Sequence, residues 1–266
     1  MLIDAHAHIH VKNFDADRNE VIQRALDAGV KRIIEVGFDS EGIFKALALA
    51  KAHDWIYAAI GIHPHLASEW NNDTASKIRK LAKPLKNEAH SLRSCVEDKI
   101  VAIGETGLDY YKNFQPREIQ QKVFREQLRI ASEVGLPVII HCRDAYKDLF
   151  RILDEEKFSN GVLLHCFTGT REEAEEGIRR GGFIAFTGVI TYPNAKSLRE
   201  IAEKAPIDKI FIESDCPFLS PQKYRGKRNE PSYIVETAKT IAQIKKISIP
   251  QLEKQIECNV KSFFSV

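Results

Sequence analysis

The 266-residue sequence predicts an α/β protein of the (β/α)8, or TIM-barrel, class. Three observations point there. Short apolar, β-branched runs alternate with longer segments of helical period from one end of the chain to the other. Eight such runs can be found, and their continuous hydrophobicity suits parallel strands covered on both faces. The length also matches the roughly 250 residues usual for one barrel, so a single domain over residues 1–266 is expected.

In order, the expected strands are residues 2–4, 32–36, 57–61, 100–104, 137–140, 161–164, 183–186 and 209–212. Between the first two, Val21, Ile22, Ala25 and Leu26 form an apolar stripe at helical spacing, and Gly29 is placed to end that helix. Residues 40–53 are rich in Ala and Leu and predict the second helix. The stretch 71–98 is too long for one crossover helix and contains Pro84, which predicts two helical pieces. Pro116 opens a helix carrying Phe124, Leu128 and Ala131, which Gly135 and Pro137 close. Residues 215–231 are rich in proline and charge and read as a long ordered loop, after which two amphipathic helices finish the chain.

The 39 basic and 37 acidic side chains nearly cancel. A polyanion would therefore be recognised by a local patch, which argues against extensive coating of a duplex. Five scattered cysteines fit a reducing compartment better than a disulfide framework. With no apolar run near ~18 residues and no signal-like start, a cytoplasmic, membrane-free protein is expected.

Strand alternation points His6 and His8 of the Asp4-Ala5-His6-Ala7-His8 run the same way, so two imidazoles can share a metal. Glu105, His141, His165 and Asp215 each sit where an apolar run ends. In a closed parallel barrel those ends meet at the rim that carries active sites. Four imidazoles and two carboxylates exceed one tetrahedral site with an open position, so two divalent ions are the natural count. Glu105 can bridge them, leaving His6, His8 and Asp215 for one ion and His141 and His165 for the other. A water held there would be acidified toward a nucleophilic hydroxide.

Cys142, Cys166 and Cys216 each follow a proposed ligand, but alternation turns such neighbours to the opposite face, where cysteine is a small core filler. His10, His53 and His90 lie off the strand ends and read as surface groups. His63 and His65 follow the third run and read as substrate contacts. Arg143 reads as an anion clamp, with a salt bridge to Asp144 as the plainer alternative. The loop 222–230 holds four cations and Tyr224, whose ring could stack an unpaired base, which favours single strands over duplex.

With those positions assembled, the chain resembles the TatD family of metal-dependent deoxyribonucleases in the amidohydrolase-like superfamily. Asp4-Ala5-His6-Ala7-His8, Gly61-Ile62-His63-Pro64-His65, Gly104-Glu105-Thr106-Gly107-Leu108-Asp109, His141-Cys142-Arg143-Asp144-Ala145, His165-Cys166-Phe167-Thr168-Gly169, Glu213-Ser214-Asp215-Cys216-Pro217 and Arg225-Gly226-Lys227-Arg228-Asn229-Glu230-Pro231 look like that family's blocks, in order. The departures are Thr168 where serine is common and Ser214 where threonine is common. The resemblance implies metal binding by His6, His8, Glu105, His141, His165 and Asp215, with Glu105 bridging and Asp215 also handling a proton. It further implies phosphate contacts from His63, His65 and Arg143 and a substrate-loop role for Arg225. Related amidohydrolases often bridge their metals with a modified lysine; Glu105 in that place favours the TatD branch.

Members of the family are described as magnesium-dependent, whereas an imidazole-rich set suits zinc or manganese better, so the ion stays open among the three. The expected activity is hydrolysis of DNA phosphodiesters, with preference for single strands or ends. The alternatives are a binuclear-metal carbonyl hydrolase (deacylase, amidohydrolase or lactonase) and a non-catalytic metal-bearing scaffold that binds nucleic acid.

Overall fold

A computed structural model describes residues 2–83 and 99–266. Its strands are β1 Leu2–Ala7, β2 Val30–Gly37, β3 Ile56–Ile60, β4 Ile100–Asp109, β5 Val138–Arg143, β6 Val162–Leu164, β7 Phe183–Phe186 and β8 Ile210–Ile212. They lie in one eight-stranded sheet in sequence order. Helices follow the strands in turn: α1 Arg18–Asp27, α2 Gly42–Ala52, α3 Asn72–Ala82, α4 Arg117–Val134, α5 Tyr146–Glu155, α6 Arg171–Arg179, α7 Lys196–Lys204, α8 Ile234–Lys245 and α9 Ile249–Phe264. Each expected run is a strand, because its β-branched and aromatic side chains find cover on both faces of the sheet.

The chain divides into two compact units, Met1–Ile34 with Leu163–Val266, and Glu35–Val162. In the first, β6, β7 and β8 pair in parallel register. There β1 lies against β8, with the Asp215 N–H donating to the His6 carbonyl at 2.9 Å and the His8 N–H to that of Cys216 at 3.0 Å. Helix α9 covers β1 and β8 and sets Phe263 and Phe264 against Phe211, their ring centroids 5.8 Å from it. In the second unit β3, β4 and β5 pair in parallel, α2 covers β3 and α4 covers β4.

The main departure from expectation is β4, which continues through Glu105 to Asp109 instead of ending at Gly104. A register shift against β5 falls between Ile103 and Thr106. Beyond it Gly107 pairs with His141 at φ +137°, and a Cβ added there would lie 2.0 Å from the His141 carbonyl oxygen. Only glycine lets the strands stay paired through that point. The polar Thr106 survives burial because the Gln127 amide donates to its hydroxyl at 2.6 Å.

The helix signals fare well. Gly29 and Gly135 follow α1 and α4 at positive φ, and Pro116 caps α4. Helix α3 is the first expected piece of 71–98, and the second, after Pro84, lies outside the described residues. The 215–231 loop is ordered by Asn229, whose amide donates to the carbonyls of Ser214 and Phe218 at 2.7 and 2.6 Å. No helix among the described residues is long and apolar enough to cross a membrane.

Candidate metal centre

In the first unit, β1 ends by delivering His6 and His8 to one side, and their Nε2 atoms stand 3.1 Å apart. Just past β8, Asp215 adopts φ +56°, a left-handed conformation that aspartate tolerates better than most residues. Its Oδ1 lies 3.5 Å from His8 Nε2, 4.0 Å from His6 Nε2 and 3.8 Å from His165 Nε2. The His165 ring stacks on His6 with centroids 3.6 Å apart. Bonds of about 2.0–2.1 Å in a tetrahedral shell separate neighbouring ligand atoms by about 3.3 Å. The observed spacings bracket that value. Two buried ring nitrogens this close cannot both present bare lone pairs to one another, whereas a shared cation uses both.

Carboxylates behind these rings hold them. Glu213 Oε1 lies 2.9 Å from His165 Nδ1 and accepts the Cys166 N–H at 2.6 Å. This pairing turns His165 Nε2 toward Asp215. Asp4 Oδ1 accepts the Ser214 N–H at 2.8 Å and the His6 N–H at 3.3 Å, tying β1 to the segment after β8. Burial pushes the Asp4 carboxyl up to about 7, partly offset by its bonds from Ser214 and His6. Burial also raises Glu213, against the pull of His165. For Asp215 burial works in the same direction, but His165, His8 and His6 together outweigh it and hold the carboxyl below its ordinary range.

In the second unit a line of contacts runs His63, Glu105, His141, Asp109, His65. Glu105 Oε1 is 3.3 Å from His63 Nε2 and 3.1 Å from His141 Nδ1. Asp109 Oδ2 is 2.9 Å from His141 Nε2 and 2.8 Å from His65 Nε2. His63 Nδ1 accepts the His65 N–H at 3.0 Å, and burial lowers the His63 pKa to about 4, so the neutral ring carries its proton on Nε2. Burial opposes ionisation of Asp109, yet bonds from His141, His65 and the Lys112 N–H overcome it and drive the carboxyl far below its usual range. Ionised Asp109 then accepts a hydrogen bond from the Nε2–H of His141, which leaves the Nδ1 lone pair facing the Glu105 side for a cation.

The six expected ligands thus fall in two clusters. His6, His8, His165 and Asp215 are together in the first unit, and Glu105 and His141 are together in the second with His63 and His65. The His165 ring lies on His6, and Glu213 is the carboxylate at its Nδ1. Reading His10 as a surface group is corrected, since it is buried. His90 and Cys95 lie outside the described residues. Cys142 and Cys216 are buried fillers as expected, and Cys166 is half-buried at a left-handed φ of +44°.

Arg143 is exposed with its guanidinium 3.9 Å from the Tyr111 ring centroid, not paired with Asp144. Arg225 is exposed over Tyr192, its Cζ 4.5 Å from that centroid. The cationic loop is less available than its composition suggests, because Lys223 pairs with Glu236 at 3.3 Å and Arg228 with Asp17 at 2.7 Å. Tyr224 stacks on Tyr233 with centroids 3.7 Å apart, so one face is taken. Asp109, Glu213 and Asp4 carry no assigned role in the sequence reading. Strand alternation is the signal for one of them, since Asp109 follows Glu105 by four residues along β4.

Imidazoles and carboxylates at ligand spacing, set on the carboxyl ends of β/α strands, define a metal-dependent hydrolase on a (β/α)8 barrel. The chain belongs to the TatD related DNase family, whose family model matches residues 3–265. It is 42% identical over 267 residues to the uncharacterized metal-dependent hydrolase YabD of Bacillus subtilis strain 168, covering all of both chains. It is 36% identical over 270 residues to the 3'-5' ssDNA/RNA exonuclease TatD of Cronobacter sakazakii, covering 99% of this chain and 97% of that one. Among solved structures, the TatD homolog YJJV from Escherichia coli K12 matches with a TM-score of 0.90 and 28% identity, over 100% of this chain and 98% of that one.

Proposed function

We propose that the protein hydrolyses phosphodiester bonds in DNA, favouring single strands or ends, with two divalent cations drawn from magnesium, zinc or manganese. The proposal takes residues 1–266 as one cytoplasmic TIM-barrel hydrolase domain. The observation that carries it is the ligand spacing within the cluster of His6, His8, His165 and Asp215, in a chain of this family. Support for the substrate comes from a relative named as a single-strand DNA and RNA exonuclease.

In this reading His6, His8, His165 and Asp215 would hold one cation, and Glu105 and His141 would hold the other. When bound, the cations polarise the phosphodiester and acidify a water. Asp215, kept ionised by its imidazole neighbours, would accept a proton from the attacking water. His63 stays neutral, with its Nε2–H facing Glu105 at 3.3 Å, and serves as a phosphate contact if that N–H turns to the substrate once Glu105 holds a cation. His65 stands beside it, fixed by Asp109. Arg143 and Arg225 supply exposed, fork-shaped cations for the strand's other phosphates.

The test uses end-labelled single- and double-stranded oligonucleotides with metal-loaded protein. Single strands should shorten in a chelator-sensitive way. Asp215→Asn should lower kcat by about 10²–10⁴-fold while the protein still melts cooperatively. An Asp215→Asn protein with full metal content and wild-type turnover would refute the assigned role.

A further inference from the structure

We propose that Phe114 and Tyr111 form a stacking step for an unpaired nucleobase, adjoining the second-unit cluster. The inference rests on the nuclease reading and names the part of the substrate that this face of the protein recognises.

Phe114 is 64% exposed and Tyr111 57%, in the short loop between β4 and α4. Large aromatic rings held in water on a loop have lost their usual burial, so cover by a ligand is worth having there. The loop is built rather than loose. Its Lys112 N–H donates to Asp109 Oδ1 at 2.7 Å, and the Gln120 amide donates to the carbonyls of Asp109 and Gln115 at 3.1 and 2.8 Å while accepting the Asp109 N–H at 2.8 Å. A loop backbone held in this way has little freedom left to lose when something stacks on its rings.

What surrounds the rings selects the occupant. His65 meets Phe114 edge to face with centroids 4.8 Å apart, and His65 is bonded to the same Asp109 that holds His141. One imidazole therefore separates the Phe114 ring from the candidate ligands. Arg143 sits over Tyr111, its Cζ 3.9 Å from the ring centroid, and places a cation beside the aromatic surface, which matches a base linked to an anionic phosphate. A paired, stacked base cannot offer its face, so this step prefers single strands and frayed ends. Tyr224, the aromatic that the sequence itself offers for this task, is half-buried and stacked on Tyr233, whereas Phe114 is exposed.

Steady-state kinetics on a short single strand test the assignment, with Phe114→Ala, Phe114→Leu and Phe114→Trp compared on a normal oligonucleotide and on one with abasic sites along its length. Phe114→Ala and Phe114→Leu should raise KM about ten-fold with kcat little changed, and Phe114→Trp should restore it. On the abasic strand all four proteins should share the same raised KM. Equal KM for Phe114→Ala and wild type on the normal strand overturns the inference, as does an equal loss on both strands, which would mean contact with the backbone. Wild-type protein that cuts neither strand at any metal concentration overturns the nuclease reading itself, a different result from one in which cleavage persists and Phe114 proves indifferent.

Discussion

Buried titratable side chains in this molecule respond to the same desolvation in opposite ways according to their neighbours. Asp4 has backbone N–H partners but no cation, and its carboxyl rises from 3.8 to about 7. Between those values the folded chain holds a proton that the unfolded chain has lost. Asp4 thus contributes stability at low pH that is lost as the pH rises through about 7. His63 behaves inversely: its pKa falls from 6.5 to about 4, so the unfolded chain binds the extra proton, and the contribution present above about 6.5 is lost as the pH falls toward 4. Asp4→Asn removes only the first effect. In chelator-treated protein it should make the melting temperature climb more steeply with pH between 4 and 7 than in wild type; parallel profiles would contradict the Asp4 assignment. Glu213 should act through His165, and Glu213→Gln should weaken metal binding by about 10–100-fold in a competition titration. Unchanged affinity would deny it that role. The six candidate ligands stand out in the sequence because a polar side chain that ends an apolar run is conspicuous. Asp4, Asp109 and Glu213 do not, because Asp4 is met by the Ser214 N–H, and Asp109 and Glu213 by a histidine ring, each brought from another part of the chain.

At the scale of elements, strand positions were legible from β-branched runs, and helix ends from Gly29, Pro116 and Gly135. The extent of β4 was not. Glu105 and Thr106 look like the end of a strand, and only pairing with β5 keeps the backbone extended to Asp109. That extension sets Glu105 and Asp109 on the two sides of His141, so the cluster depends on it. Gly107→Ala brings a Cβ against the His141 carbonyl and forces a strained φ. It should destabilise the protein by roughly 2–4 kcal/mol in urea titration, strain and overpacking together. A loss below about 0.5 kcal/mol would mean that β4 and β5 can part there without cost.

For the whole molecule, a net charge of +2 provides little general attraction for a polyanion. Binding must then come from a few local groups, of which Arg143 and Arg225 are exposed cations. Salt dependence should be correspondingly shallow, with a slope set by a handful of phosphate contacts. The central claim is that the two clusters hold the cations on which strand cleavage depends. Its most direct test is to strip the protein with chelator, add back manganese in steps, and follow bound metal and single-strand cleavage in the same samples. The account predicts no cleavage from stripped protein and recovery that levels off at two ions per chain. Cleavage at the full rate with no bound ion, or metal uptake undiminished when His6, His8 and His165 are all replaced by alanine, would contradict it.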